Sequence, residues 1–308
     1  MTERENALRA LKRQNPEWVP CQWEAISYID PSVLNDRVDD GTDWFGVRWV
    51  DCVPDNIVPM MDDVTKWRDM IHFPDVEALD WEGAVKKDLD GVDREEKVVW
   101  VMLRVGLFER MHSFMGFENT LLSLYTEPEA LKDLIDAYAE YRYKIMEKVL
   151  EYYKPDVVSV HDDYGTQRAL FMSPDSWREF FKGHLKRFAD LLHSKGVMFA
   201  LHCCGKVDTL VGEFIEIGVD IWDSVQCCND LEWVVDTYGD KLSFTPGLDM
   251  QRMAVGTPED VRVHVRETID LLGRYRGVIP HSNQPRVPKP IIDAISDEIE
   301  KYGKIAYQ

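Results

Sequence analysis

VMFALHCCGKVDTLVGEFIEIGVDIWDSVQ, residues 197–226, holds the pattern that decides the fold. An apolar run, VMFALHC, ends in ligand-type residues. A stretch of helical period follows, and a second apolar run, DIWDSVQ, starts at residue 220. Strand, helix and strand within that length form a βα unit, whose two strands lie parallel. The same alternation runs outward in both directions. VVWVMLRV (98–105), DVVSVHDD (156–163), LSFTPGLD (242–249) and GVIPHS (277–282) are further strands, each followed by a helix-like stretch. Thr257-Pro258-Glu259-Asp260 and Ser173-Pro174-Asp175 mark helix starts, with a hydroxyl cap, proline at the first helical position and acids in the first turn.

WVPCQWEA (18–25) reads as one more strand, for seven in all. The tryptophan-rich residues 44–90 have room for an eighth, and WFGVRWVD there looks like part of an irregular hairpin. The expected fold is therefore α/β, a (β/α)8 TIM-type barrel, preferred over an open doubly wound sheet. It forms a single domain over 1–308, with an irregular N-terminal part (1–95) that includes the first strand and regular βα units over 96–308. No GxGxxG or GxxxxGK[ST] loop supports a nucleotide-binding alternative.

Composition narrows the function. Among 308 residues, 36 Lys and Arg face 56 Asp and Glu, a net charge of −20 that repels phosphate backbones and anionic membrane faces. No apolar run approaches the roughly 20 residues that span a bilayer, and the charged start MTERENALRALKRQ leads into no signal-type apolar region. A cytoplasmic protein is expected, with small-molecule or protein partners. The six cysteines, Cys21, Cys52, Cys203, Cys204, Cys227 and Cys228, are too sparse for a disulfide framework and suit reduced or metal-bound thiols.

In a barrel the strand ends carry the chemistry. Glu24, His161-Asp162-Asp163, His202-Cys203-Cys204, Gln226-Cys227-Cys228, Asp249 and His281-Ser282-Asn283 all fall at such ends in this reading. Residues two apart on an extended segment share a face, so His202 and Cys204 can address one point while Cys203 turns away. An imidazole and a thiolate at one point suit Zn²⁺. Packing is the competing explanation for both, and helix capping for Asp162 and Asp163. The pair 227–228 suits packing or a supporting position, and adjacent cysteines lack the spacing of a redox CxxC site.

HCCGKVDTLVGEFIEIGVDIWDSVQ, SVHDDYGTQRALFMSPDSWREFF and GVIPHSNQPRVPKP together resemble the uroporphyrinogen decarboxylase superfamily, which also includes cobamide-dependent methyltransferases. The resemblance is good over residues 95–308 and loose before them. The decarboxylases carry an arginine-rich RQAGRY motif for a substrate with many carboxylates; the corresponding stretch here, CQWEAISYID, has no arginine. The methyltransferase branch writes its zinc site as HxC with a cysteine far downstream. That resemblance implies zinc on His202 and Cys204, with His281 standing where the branch has its third ligand, a cysteine.

It further implies methyl transfer between a small molecule, foremost a methoxylated aromatic undergoing O-demethylation, and a corrinoid. Asp162, Asp163 or Glu24 would supply the proton to the leaving oxygen or act as an extra ligand. The chain lacks a DxHxxG cobalamin motif, its nearest approach being RMHSFMG (110–116), so a separate corrinoid protein is the expected partner. A homo-oligomer is compatible with this reading. A tetrapyrrole-type or smaller-acid decarboxylase and a non-catalytic corrinoid- or metabolite-binding protein are the alternatives.

Overall fold

The computed structural model describes residues 1–38, 41–50, 57–280 and 287–308. Six strands, β1 (Ile26–Ile29), β2 (Val98–Leu103), β3 (Val157–His161), β4 (Met198–His202), β5 (Ile221–Val225) and β6 (Ser243–Pro246), lie side by side in chain order. Every neighbouring pair is parallel. Helices fill the crossovers, as the short apolar runs separated by helical period require. GVIPHS enters the sheet by a single parallel bridge, Phe244 to Val278, with Phe244 N–H donating to Gly277 O at 2.7 Å and Ile279 N–H to Phe244 O at 3.0 Å. The architecture is thus α/β of TIM type, with six strands and one bridge among the described residues in place of the expected eight.

Two sequence expectations change. WVPCQWEA is not the first strand: residues Gln22–Ala25 form one helical turn and the strand follows at Ile26–Ile29. Pro20 has no N–H to give a ladder, and the Cys21 carbonyl instead accepts from Glu24 N–H (3.2 Å) and Ala25 N–H (3.0 Å). The described part of 44–90 supplies no eighth strand for the parallel sheet. It contributes Arg48–Trp49, which pairs antiparallel with Gly41–Thr42 just before it and makes WFGVRWVD part of an irregular hairpin as expected.

Alternation along the strands sorts the core into two parts. Val98 and Trp100 of β2 point inward with Val157, Met198, Ala200 and Ile221, and meet Ala7, Ala10 and Leu11 of the N-terminal helix Glu3–Leu11. That helix plugs the N-terminal end of the sheet. Val99, Val101 and Leu103 point outward with Val158, Val160, Phe199, Leu201 and Trp222 against the surrounding helices. Each such side chain contributes about 1.5–3 kcal/mol when fully buried.

The segment after β1 is fastened by buried ion pairs. Fully buried Asp43 accepts from Phe45 N–H (2.9 Å), Val47 N–H (3.0 Å), Trp49 Nε1 (2.9 Å) and Arg110 Nη1 (2.8 Å). Arg142 Nη1 donates to Asp36 Oδ2 at 2.5 Å, and Arg110 Nη2 donates to Asp36 O. Breaking one partner of such a pair leaves a buried charge and costs about 3–5 kcal/mol. The two helix starts read from sequence are present: Ser173 Oγ accepts from Ser176 N–H, and Thr257 and Asp260 form a reciprocal capping box.

Candidate metal centre and active site

Strand register builds the site. His161, His202 and Asp223 are aligned across β3, β4 and β5, and Thr245 of β6 extends the row. His202 Nδ1 lies 2.8 Å from Asp223 Oδ2, while Thr245 Oγ1 donates to Asp223 Oδ1 at 2.5 Å. Asp223 therefore fixes the ring and leaves Nε2 pointing toward Cys204, whose Sγ is 3.6 Å away. Burial disfavours the imidazolium, but Asp223 and the Cys204 thiol outweigh it and raise the His202 pKa well above its ordinary value. The His161 ring stacks on His202 with centroids 4.1 Å apart and planes 7° from parallel. Burial, then the His202 charge, push its pKa well down, so His161 is neutral near pH 7.

Cys204 reaches the same point because two loops touch. Gly205 has φ +84°, and a Cβ there would sit 2.1 Å from Gly165 O. Lys206 N–H donates to Thr166 O at 2.7 Å across the same contact. The close crossing sets Asp163 against the turn, and its Oδ1 accepts from Cys204 N–H at 2.6 Å. Asp163, His202 and Cys204 thus each offer a ligand atom within 4.8 Å of the others; His161, His202 and Asp223 form a second such group. Ser224, held at φ +62° in a bulge between Asp223 and Val225, places its Oγ 3.4 Å from Cys204 Sγ. A left-handed serine is a costly backbone state, kept here beside the ligand cluster.

The structure distributes the sequence candidates as follows. His202, Cys204 and Asp163 are brought together. Cys203 is fully buried facing away, as its spacing implies. Asp162, also fully buried, caps the helix Leu107–Met115 from across the site: it accepts from Leu107 N–H (2.8 Å), Phe108 N–H (3.1 Å), Glu109 N–H (2.9 Å) and Tyr164 OH (2.5 Å). Burial lifts its pKa to about 6 against these bonds. Glu24 is exposed in the turn preceding β1 and within electrostatic reach of Glu3, and its neighbours Gln22 and Trp23 line a cavity that His202 also lines. The strand that was to carry Glu24 to the site begins only after it. His281 lies outside the described residues, and Cys227 and Cys228 join neither ligand group.

Sequence reasoning passed over Glu109 and Asp223. Glu109 stands in the first turn of the helix after β2, a strand end like the others, and that position was the available signal. Burial, then the Asp163 and Asp162 charges, raise its pKa well above the carboxylate range. A cavity of about 470 Å³ opens beside the cluster, its lining including His161, His202, Asp223, Arg37, Arg104 and Trp23.

The family model for uroporphyrinogen decarboxylase (URO-D) matches residues 91–297. The chain belongs to the uroporphyrinogen decarboxylase family. Among solved structures, a methyltransferase from Methanosarcina mazei aligns with 98% of this URO-D chain and 99% of its own at 15% identity and a TM-score of 0.65, a likeness of fold. A mutant flavocytochrome b2 with pyruvate bound aligns with 99% of the chain and 75% of its own at 14% identity, but a TM-score of 0.32 relates no fold. No curated protein matches the chain in sequence. Among the described residues of this URO-D protein, no helix is long and apolar enough to cross a membrane.

Proposed function

We propose that the chain is a zinc-dependent methyltransferase that takes a methyl group from a small methoxylated aromatic and passes it to a corrinoid carried by a separate protein. The observation that carries the proposal is the convergence of Asp163, His202 and Cys204 within 4.8 Å, with His202 oriented through its other nitrogen by Asp223. The donor set fits Zn²⁺: thiolate, imidazole and carboxylate are its usual ligands, and a carboxylate behind the histidine is the usual support. His281 completes the set in this reading. Zinc, when bound, supplies a Lewis acid that makes an ether oxygen a better leaving group.

The chain's own groups do the rest. Asp223 and Thr245 hold the His202 tautomer, and Ser224 Oγ approaches the Cys204 sulfur. The C–O bond breaks with its electron pair remaining on oxygen, while the methyl carbon bonds to the corrinoid using the reduced corrinoid's electron pair. Glu109, held protonated by its surroundings, supplies the proton to that oxygen. A cavity of about 470 Å³ suits one substituted ring, and this favours a small donor over a four-ring tetrapyrrole.

The test is direct. Zinc-loaded protein is mixed with a reduced corrinoid protein and a panel of methoxylated aromatics, and methylation is followed by the corrinoid absorbance together with release of the phenol. Stoichiometric phenol and methylated corrinoid support the reading. Release of carbon dioxide from a carboxylated donor with its methyl group intact places the chain among the decarboxylases instead.

A further inference from the structure

Ser224 breaks the alternation of β5 beside the ligand cluster. Ile221 points inward with Val98 and Trp100, and Trp222 points outward, as successive strand residues must. Asp223 turns inward again, to His202 and Thr245. Continued alternation would send Ser224 out to the helices and Val225 in. The reverse holds: Ser224 Oγ lies 3.4 Å from Cys204 Sγ, and Val225 joins the outer core. The register slips between Asp223 and Val225, at the one residue of the strand whose φ is +62°. The bulge thus aims two consecutive side chains at one cluster, a common use of bulges near functional sites.

The chemistry of the serine fits where it is aimed. Among the described residues, Cys204 Sγ is the one partner of its hydroxyl. A cysteine must lose its proton to hold a metal. Its sulfur is then an anionic acceptor, and Ser224 O–H is the donor within reach; a bond to a charged atom is stronger than a neutral one. Glycine would adopt φ +62° without the cost that serine carries, so the hydroxyl is what serine adds at this position.

A thiolate is a nucleophile as well as a ligand. Beside a methyl group ready for transfer, the Cys204 sulfur competes with the corrinoid. Its lone pair would form an S–CH3 bond while the C–O bond breaks with its electron pair on oxygen, leaving a neutral thioether where the site needs an anion. Resting on the methyl-transfer reading, we infer that Ser224 is a positioning residue whose hydroxyl donates to the Cys204 thiolate. The bond fixes the sulfur on the metal and draws electron density from it, so that the methyl group passes to the corrinoid and not to Cys204.

The test compares Ser224→Ala with Ser224→Gly. Both lack the hydroxyl, but alanine keeps the backbone cost at φ +62° and glycine removes it, so a change shared by the two belongs to the hydroxyl. Each protein is loaded with cobalt(II) to record its thiolate-to-metal charge-transfer band. Each is also loaded with zinc and treated with methyl iodide, and methylation at residue 204 is followed by peptide mass, with Cys204→Ser as the blank. In both variants the band should move to longer wavelength, because the sulfur lone pair has lost its donor. Cys204 should be methylated about tenfold faster than in the wild type, the effect of losing one hydrogen bond to a charged atom. Metal stoichiometry and unfolding midpoint should stay near wild type in both. A wild-type band and wild-type methylation rate in both variants overturn the inference. So does a change confined to Ser224→Ala, which assigns the effect to the backbone. Neither readout uses a corrinoid, so the two readings fail separately. A shifted band and faster methylation in a protein that transfers no methyl group to a corrinoid remove the proposed function alone. Transfer to the corrinoid with an unshifted band in both variants removes this inference alone, and a wild type that takes up no cobalt removes both.

Discussion

Replacing Gly205 by alanine tests the loop crossing that joins Asp163 to Cys204. The new Cβ would lie 2.1 Å from Gly165 O and 2.4 Å from Gly165 C, both backbone atoms that no rotamer change can move. The residue would also keep φ +84°, a left-handed state that costs alanine roughly 1–2 kcal/mol. Forcing extra volume into a packed site typically adds about 1–3 kcal/mol. The sum is about 3 kcal/mol, and relief requires the two loops to part, which pulls Cys204 N–H from Asp163. With a urea slope near 3 kcal/mol/M, the unfolding midpoint falls by about 1 M. Zinc affinity, measured by chelator competition, falls with it. Gly183→Ala is the control: its Cβ meets nothing within 4 Å and it lies in the helix Gly183–Ser194, so it should stabilise by about 0.5–1 kcal/mol. A Gly205→Ala protein that unfolds with the wild-type midpoint and binds zinc equally well would refute the reasoning.

Three other outcomes are expected. Asp223→Asn weakens the support of the His202 ring and should lower zinc affinity about 10–100-fold in the same chelator titration, with little change in unfolding midpoint; unchanged affinity contradicts the support role. Glu109→Gln keeps the zinc but removes the proton donor, so single-turnover methyl transfer should slow by about 10²–10⁴-fold; a wild-type rate removes Glu109 from the chemistry. His112, whose pKa burial and then Arg110 lower from 6.5 to about 4, is neutral in the fold but charges in the unfolded chain. Its folded pKa lies below its unfolded one, so stability is lost as pH falls from about 6.5 toward about 4, by about 3 kcal/mol in all. His112→Asn should lose less stability over that interval than the wild type, and identical slopes refute the assignment.

What the sequence made legible was local. Five strands stood out because apolar runs alternate with helical stretches, and the ends found, such as Met198–His202 inside VMFALHC, are within two or three residues of those read. The first strand was misplaced because Trp18 and Val19 carry β-type side chains while Pro20 and the Cys21 carbonyl direct the backbone into a turn. The described residues of GVIPHS form one bridge, since pairing depends on what the rest of the sheet offers them. His202 and Cys204 were legible from their spacing of two. Asp223 and Ser224 were not: their roles come from the register of β4 on β5 and a bulge, which are long-range relations. Asp162 and Asp163 show the division most clearly. Adjacent and identical, one caps a helix across the site and the other joins the ligand cluster, because alternate side chains leave a strand end in opposite directions.

The ligand cluster is tested most directly by loading the protein with cobalt(II) in place of zinc and recording the thiolate-to-metal charge-transfer absorption alongside metal stoichiometry. The account predicts about one metal per wild-type chain with a thiolate band. Cys203→Ser should retain both, since that thiol is fully buried facing away, while Cys204→Ser loses the band and most of the metal. Equal spectra and equal occupancy in the two variants would contradict it.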